Sequence, residues 1–303
     1  MLKLENVTLL IVDCLNHEAA LLSLEQSMSR CQFKEVVFIT DLEPKRNVDK
    51  IIFRIIPKIK SRIEYSKFIL NNLIDYFKTD FVLIIQWDGY VVNQESWSED
   101  FLKYDYIGAK WWHKDGANVG NGGFSLRTRK LVEAVKSLNI DFKSTNGLED
   151  DIICRLYRKE LENKYGILFA SESIADQFST ERCESNNKLK PFGFHGYYNL
   201  YKFISKDHLE LILKSLPPKT ITSVEHIELM QNLYTNKRYM ECIYSASAYL
   251  TYKKDTNVLL IMYNSSLQLG ILWLSAMAIL QLNIIDPTNE VYRHELHKYK
   301  SYL

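Results

Sequence analysis

The sequence lacks the marks of several protein classes at once. Its five cysteines, Cys14, Cys31, Cys154, Cys183 and Cys242, are odd in number, far apart and make no Cys-x-x-Cys pair. That argues against a disulfide scaffold or a zinc knuckle and for a reducing compartment. Charge of one sign is also missing: the formal net charge is +1, so no general attraction to nucleic acid is implied. Met1-Leu2-Lys3-Leu4-Glu5-Asn6 has neither the apolar core nor the small-residue cleavage site of a signal peptide. A cytoplasmic protein is expected, with a peripheral place at the inner face of a membrane as a variant. Neither Gly-x-Gly-x-x-Gly nor Gly-Lys-Ser/Thr occurs, so the dinucleotide and phosphate-loop enzyme classes lose support.

What is present is ordinary in bulk and particular in detail. The 303 residues are 47% hydrophobic and 25% charged, enough for a large core in one or two domains. With 19 Tyr, 14 Phe and 5 Trp there is ample aromatic surface, which serves cores and also stacks on sugar rings and bases. From Asp255 to Asp286 no charged residue intervenes. A membrane span needs about 20 mostly apolar residues. Asn257, Asn264, Gln268, Gly270, Ser275 and Gln281 break up this run, so it reads as buried helices, with a membrane-embedded segment as the competing reading.

The first half alternates strand and helix patterns. Strands are expected at Val7–Val12, Glu35–Thr40, Lys50–Ile56 and Phe81–Gln86, and helices at Glu18–Ser29 and Ile63–Phe77. This alternation predicts βαβ units and a parallel sheet. Trp87–Gly123 is loop-rich and aromatic, as binding loops on a rigid sheet often are. Helices follow at Arg127–Leu138 and Asp150–Tyr165, with a short strand at Gly166–Ala170. Leu216-Pro217-Pro218 is the boundary signal, giving domains over 1–215 and 216–303. Beyond it lie two helix pairs (Val224–Tyr234 with Tyr239–Tyr252, Asn257–Leu269 with Ile271–Ile284) and a last helix, Glu290–Tyr302. At an offset of about 34 residues Leu233 matches Leu267 and Tyr239 matches Trp273, a loose tetratricopeptide-like pattern.

Four motifs carry chemistry. Phe81-Val82-Leu83-Ile84-Ile85 is an apolar run that stops at Gln86-Trp87-Asp88-Gly89. In open α/β sheets ligands bind just beyond the carboxyl ends of strands. Asp88 there suits a divalent cation bridging two phosphates; blandly, Asp-Gly is a turn. Gly120-Asn121-Gly122-Gly123 admits a bulky ligand against backbone, or is only a loop, with Phe124-Ser125-Leu126 leading into the next helix. Glu149-Asp150-Asp151 crowds three carboxylates, which raises a pKa toward working pH and suits a general base. Equally, acids at a helix start stabilise it by about 0.3–1 kcal/mol each. His195, in Phe192-Gly193-Phe194-His195-Gly196, is a structural residue or a metal ligand through a neutral nitrogen.

Taken in order, these segments resemble the GT-A class of nucleotide-sugar glycosyltransferases. The resemblance is to a family of bacterial glycosyltransferase-like proteins of largely undefined specificity. It rests on Gln86–Gly89, Tyr104–Ala109, Gly120–Arg127, Glu149-Asp150 and Phe192–Gly196, and it covers about residues 5–205. Gly122-Gly123-Phe124-Ser125 and Gly147-Leu148-Glu149-Asp150-Asp151 are more distantly similar to segments of the beta-1,4-galactosyltransferases. The resemblance implies a Rossmann-like, mostly parallel sheet flanked by helices. It implies Asp150 as catalytic base, Glu149 orienting a sugar, and Asp88 and His195 holding Mn2+ or Mg2+. Gln86, Gly122 and Gly123 would line the donor site. Gln86 departs from the beta-1,4-galactosyltransferase pattern by standing where the first acid of Asp-x-Asp would be, so the cation is expected to bind weakly or with the diphosphate.

The expected activity is therefore a hexosyltransferase type. A sugar passes with inversion from a nucleoside-diphosphate sugar, UDP-linked by preference, to a hydroxyl on a glycan, glycolipid or protein, in bacterial surface glycan synthesis. Asp13 and Asp41, at the ends of the first two strands, are candidates for the base or ribose, and Trp111 and Trp112 for stacking on sugar. Residues 216–303 would take a protein partner or self-associate. The rivals are a catalytically silent nucleotide- or glycan-binding module, which Gln86 favours, and a retaining transferase.

Overall fold

The computed structural model describes residues 1–43, 48–183, 190–299 and 302. Two compact units emerge, Met1–Gly196 and Tyr197–Leu303.

The first unit is built on a six-stranded sheet. Its strands are β1 (Leu2–Val12), β2 (Cys31–Thr40), β3 (Ile51–Ile55), β4 (Phe81–Ile85), then β5 (Tyr106–Ile107) and, after β6 (Ala109–Lys110) and β7 (Val119–Gly120) of a separate pair, β8 (Phe124–Thr128). The spatial order is β3-β2-β1-β4-β8-β5. The first four strands run parallel, and β8 is antiparallel to β4 and β5. This is the mostly parallel, helix-flanked α/β architecture that the GT-A resemblance implies. The central strands read as unbroken apolar runs because both faces are buried. Leu9, Ile11, Leu83 and Ile85 enter one core, and Leu10, Val12, Val82 and Ile84 enter the other.

Chain order reverses beside β1: β2 and β3 extend one way and β4 lies on the other side. Ligands favour such switch points. Asp13, Asp41 and Gln86–Asp88 all follow the carboxyl ends of parallel strands, so they share one edge of the sheet.

Three expectations need correction. Phe124-Ser125-Leu126 does not lead into a helix; it is the start of β8, and the helix is confined to Arg129–Lys136, capped by the Thr128 hydroxyl. Phe124 and Leu126 alternate into the core, so period-two burial overrides helical propensity. Gly166–Ala170 forms only an isolated bridge, Tyr106 with Phe169. The expected Ile63–Phe77 helix is Arg62–Asn71 followed by a 3-10 turn at Leu73–Tyr76.

The second unit is helical. Its main helices are Lys206–Ser215, Val224–Thr235, Tyr239–Leu250, Thr256–Gln268, Leu272–Ile285 and Glu290–His297. From Val224 onward each packs on the next. Residues 300 and 301, inside the expected helix to Tyr302, lie outside the described residues. The unit begins before Leu216-Pro217-Pro218, and polar links reach back to its start. Tyr197 hydroxyl meets His226 Nδ1, Asn232 donates to the Tyr198 carbonyl, and Arg238 donates to the Tyr201 carbonyl. Among the described residues no helix is long and apolar enough to cross a membrane.

Candidate active site

Antiparallel β8 explains how the glycines reach the strand-end acid. Its first residue, Phe124, pairs with Ile85, the last of β4. Gly122-Gly123 therefore arrive at the edge from which Gln86-Trp87-Asp88 departs. Asn121 shapes the approach in the left-handed region, φ 73°. Its Oδ1 accepts from the N–H groups of Gly123 (2.7 Å) and Phe124 (3.2 Å). A side chain at position 123 would collide with the His195 ring, and one at 122 with Glu149 Oε1. Both glycines are thus required by close approach.

His195 is delivered by a second short ladder. β9 (Ser179–Thr180) and β10 (Gly193–Phe194) run parallel with Thr180 opposite Phe194, so the next residues, Glu181 and His195, become neighbours. Glu181 Oε1 lies 3.2 Å from His195 Nδ1. On the other side of the ring, Nε2 is 3.1 Å from Gln86 Oε1 and 3.4 Å from Asp88 Oδ1. Burial opposes charge on this imidazole, but Asp88 and Glu181 outweigh it and push the pKa up to about 10. Without a cation, the two carboxylates thus favour the imidazolium.

Among the described residues no three His, Cys, Asp or Glu side chains surround one point as a metal site. Asp88 and His195 form a pair. Their fit to a divalent cation rests on Asp88 Oδ1, a buried acceptor with no hydrogen-bond partner, facing Nε2.

The acid triplet divides its labour. Glu149 turns inward, and both its oxygens are held by Arg127 at 2.9 and 3.0 Å. Arg127 is itself buried in β8, bonded to Ser125 Oγ and set over the Tyr106 ring. The resemblance gave Glu149 a sugar to orient; here its carboxylate anchors the turn. Asp151 is paired outward with Asn146 and Arg155. Asp150 stays partly exposed, with Oδ2 accepting from the Gly122 N–H at 3.1 Å. Burial and then the charge of Glu149 raise its pKa to about 6. Asp150 thus touches the glycine loop while keeping partial exposure.

The remaining expected residues are less free. Asp41 is hydrogen-bonded to His17 at 2.7 Å and ion-paired with Lys58 at 3.7 Å. Burial works against its charge, but His17 outweighs it and lowers the pKa. Asp13 caps the N–H groups of Leu15 and Asn16. Burial raises its pKa despite those bonds, and Asp88 adds to the rise. Trp111 is buried against Gly120 and cannot offer a face to sugar, whereas Trp112 is 64% exposed and lies on His113.

Sequence reading missed Arg127, Asn121 and Glu181 as working residues. Arg127 had a signal: a cation inside a strand bound for the core demands a buried acid. Glu181 had none, because only the β9–β10 register brings it to His195.

Residues 50–195, just under half of the chain, match the family described as a protein of unknown function (DUF5672). A search of curated proteins found no match. Among solved structures, the chain is similar to the apo-form glycosyltransferase GlyE of Streptococcus pneumoniae TIGR4, at 11% identity and TM-score 0.40, covering 76% of this chain and 64% of that one. This chain thus spans less than two thirds of GlyE. A glycosyltransferase involved in glycosylation of the major capsid of PBCV-1 aligns at 12% identity and TM-score 0.38, covering 62% and 91%. An active-site mutant of LgtC aligns at 14% identity and TM-score 0.37, covering 62% and 86%.

Proposed function

We propose that this protein transfers a sugar, with inversion, from a nucleoside-diphosphate sugar to a hydroxyl acceptor. The observation that carries the reading is Asp150: a carboxylate tuned to about 6, partly exposed, and hydrogen-bonded to Gly122. A base of that pKa works at neutral pH. Asp150 takes the acceptor's proton, and the freed oxygen forms its bond to the anomeric carbon. The bond from that carbon to the diphosphate breaks on the opposite face, and its electron pair leaves with the phosphate. Gly122 and Gly123 let the sugar ring lie against backbone. Asp88 and His195 would hold Mn2+ or Mg2+, which supplies positive charge to the departing diphosphate. Of the acids at the nucleotide end, Asp41 reaches ribose or base only by sharing the carboxylate that His17 holds. UDP-linked donors, and glycan, glycolipid or protein acceptors, belong to the same proposal.

Asp150→Asn tests it. The variant is expected to fold and to lose transfer by about 10²–10⁴-fold, measured with a panel of nucleotide sugars. Full activity in that variant would sink the base assignment. The silent-module reading draws on Gln86 and is met by donor hydrolysis: slow cleavage of a bound donor in water rules it out.

A further inference from the structure

Gln86 is the apparent weak point of the cation site, since an amide carries no charge. Yet its side chain is turned into the site and held there. Gln86 Nε2 donates to the Tyr65 hydroxyl at 3.2 Å, with Oε1 at the inner end of the amide. Oε1 then lies 3.1 Å from His195 Nε2, and the same nitrogen is 3.4 Å from Asp88 Oδ1. That aspartate oxygen is buried without a hydrogen-bond partner. Behind the ring, Glu181 meets Nδ1 at 3.2 Å, the carboxylate–histidine arrangement that orients a ligating imidazole. In an octahedral site with bonds of roughly 2.1 Å, neighbouring ligands sit about 3.0 Å apart. Two donor–donor separations here approach that edge length.

We propose that Gln86 Oε1 is a third protein ligand of a divalent, oxygen-preferring cation, with Asp88 Oδ1 and His195 Nε2. The inference rests on the cation reading above and extends it to a residue that no acid-based motif would count. Its consequence is a change of character. A carboxylate, an imidazole and an amide supply one negative charge against two positive ones. The missing charge comes from the diphosphate, so cation and nucleotide raise each other's affinity.

The test is calorimetric titration of the full chain with Mn2+, alone and with UDP. Wild type is expected to bind Mn2+ more tightly when UDP is present. Gln86→Ala should weaken binding by about tenfold or more, and Gln86→Asp should tighten it in the absence of UDP. Tyr65→Phe keeps the amide but frees its orientation, and should also weaken binding. Wild-type affinity in both Gln86→Ala and Tyr65→Phe, or no Mn2+ binding by wild type in either condition, would overturn the proposal. Because binding is read without transfer, a chain that holds Mn2+ through Gln86 but moves no sugar would sink the glycosyl-transfer reading alone.

Discussion

At the scale of single residues, the site runs on carboxylates made different by their partners. Asp150 is raised to about 6 by burial and by Glu149, so it is protonated below that pH and cannot accept a proton. The rate of transfer should therefore climb as pH rises through about 6 and then level off. A flat kcat/KM from pH 5 to 7 would remove Asp150 from the base role. Arg127 and Glu149 form a different kind of pair, both buried and doubly bonded. Arg127→Met leaves Glu149 as an uncompensated buried charge and should cost about 3–5 kcal/mol of stability by chemical denaturation. A loss under about 1 kcal/mol, typical of exposed pairs, would show that the turn is held by something else.

At the scale of elements, direction matters more than composition. The loop from β7 to β8 is useful because β8 runs back along β4. It is also tight. Gly123→Ala places a methyl group in the His195 imidazole, and relief requires moving either the loop or the ring. The variant should lose about 1–3 kcal/mol in thermal denaturation and lose Mn2+ binding with it. An unchanged melting profile would mean that the ring is looser than its polar neighbours suggest. Direction also explains why β8 reads from the sequence as the entry to a helix. Phe124-Ser125-Leu126-Arg127 is too short for periodicity to separate strand from helix. Only pairing with β4 decides it.

At the scale of the whole molecule, each unit has its own polar lock. In the helical unit this is His226, fully buried, accepting from Tyr197 hydroxyl at Nδ1 and lying 3.0 Å from the Ser245 carbonyl at Nε2. Burial lowers its pKa from 6.5 to about 4. Between those values the unfolded chain binds a proton that the folded chain refuses, so stability rises with pH. The contribution is present above about 6.5 and fades as pH falls toward 4, amounting to about 3 kcal/mol in all. The difference in melting temperature between pH 7.5 and pH 5 should shrink in His226→Gln. An equal difference in both proteins would assign the acid sensitivity to other groups.

The sequence by itself determined what periodicity and end signals can encode. It placed β1 to β4, the helices from Val224 to Ile285, and the motif acids and glycines, because each is a local pattern of burial or backbone freedom. Tertiary structure alone decided how those residues act. The ends of β1 and β4, and the reversed strand β8, bring Gln86, Asp88 and Gly123 to one edge. The β9–β10 register sets Glu181 behind His195, and the fold gives Glu149 to Arg127 while leaving Asp150 partly exposed. Such pairings join residues tens of positions apart, and a charge's behaviour depends on neighbours in space, not on neighbours in sequence.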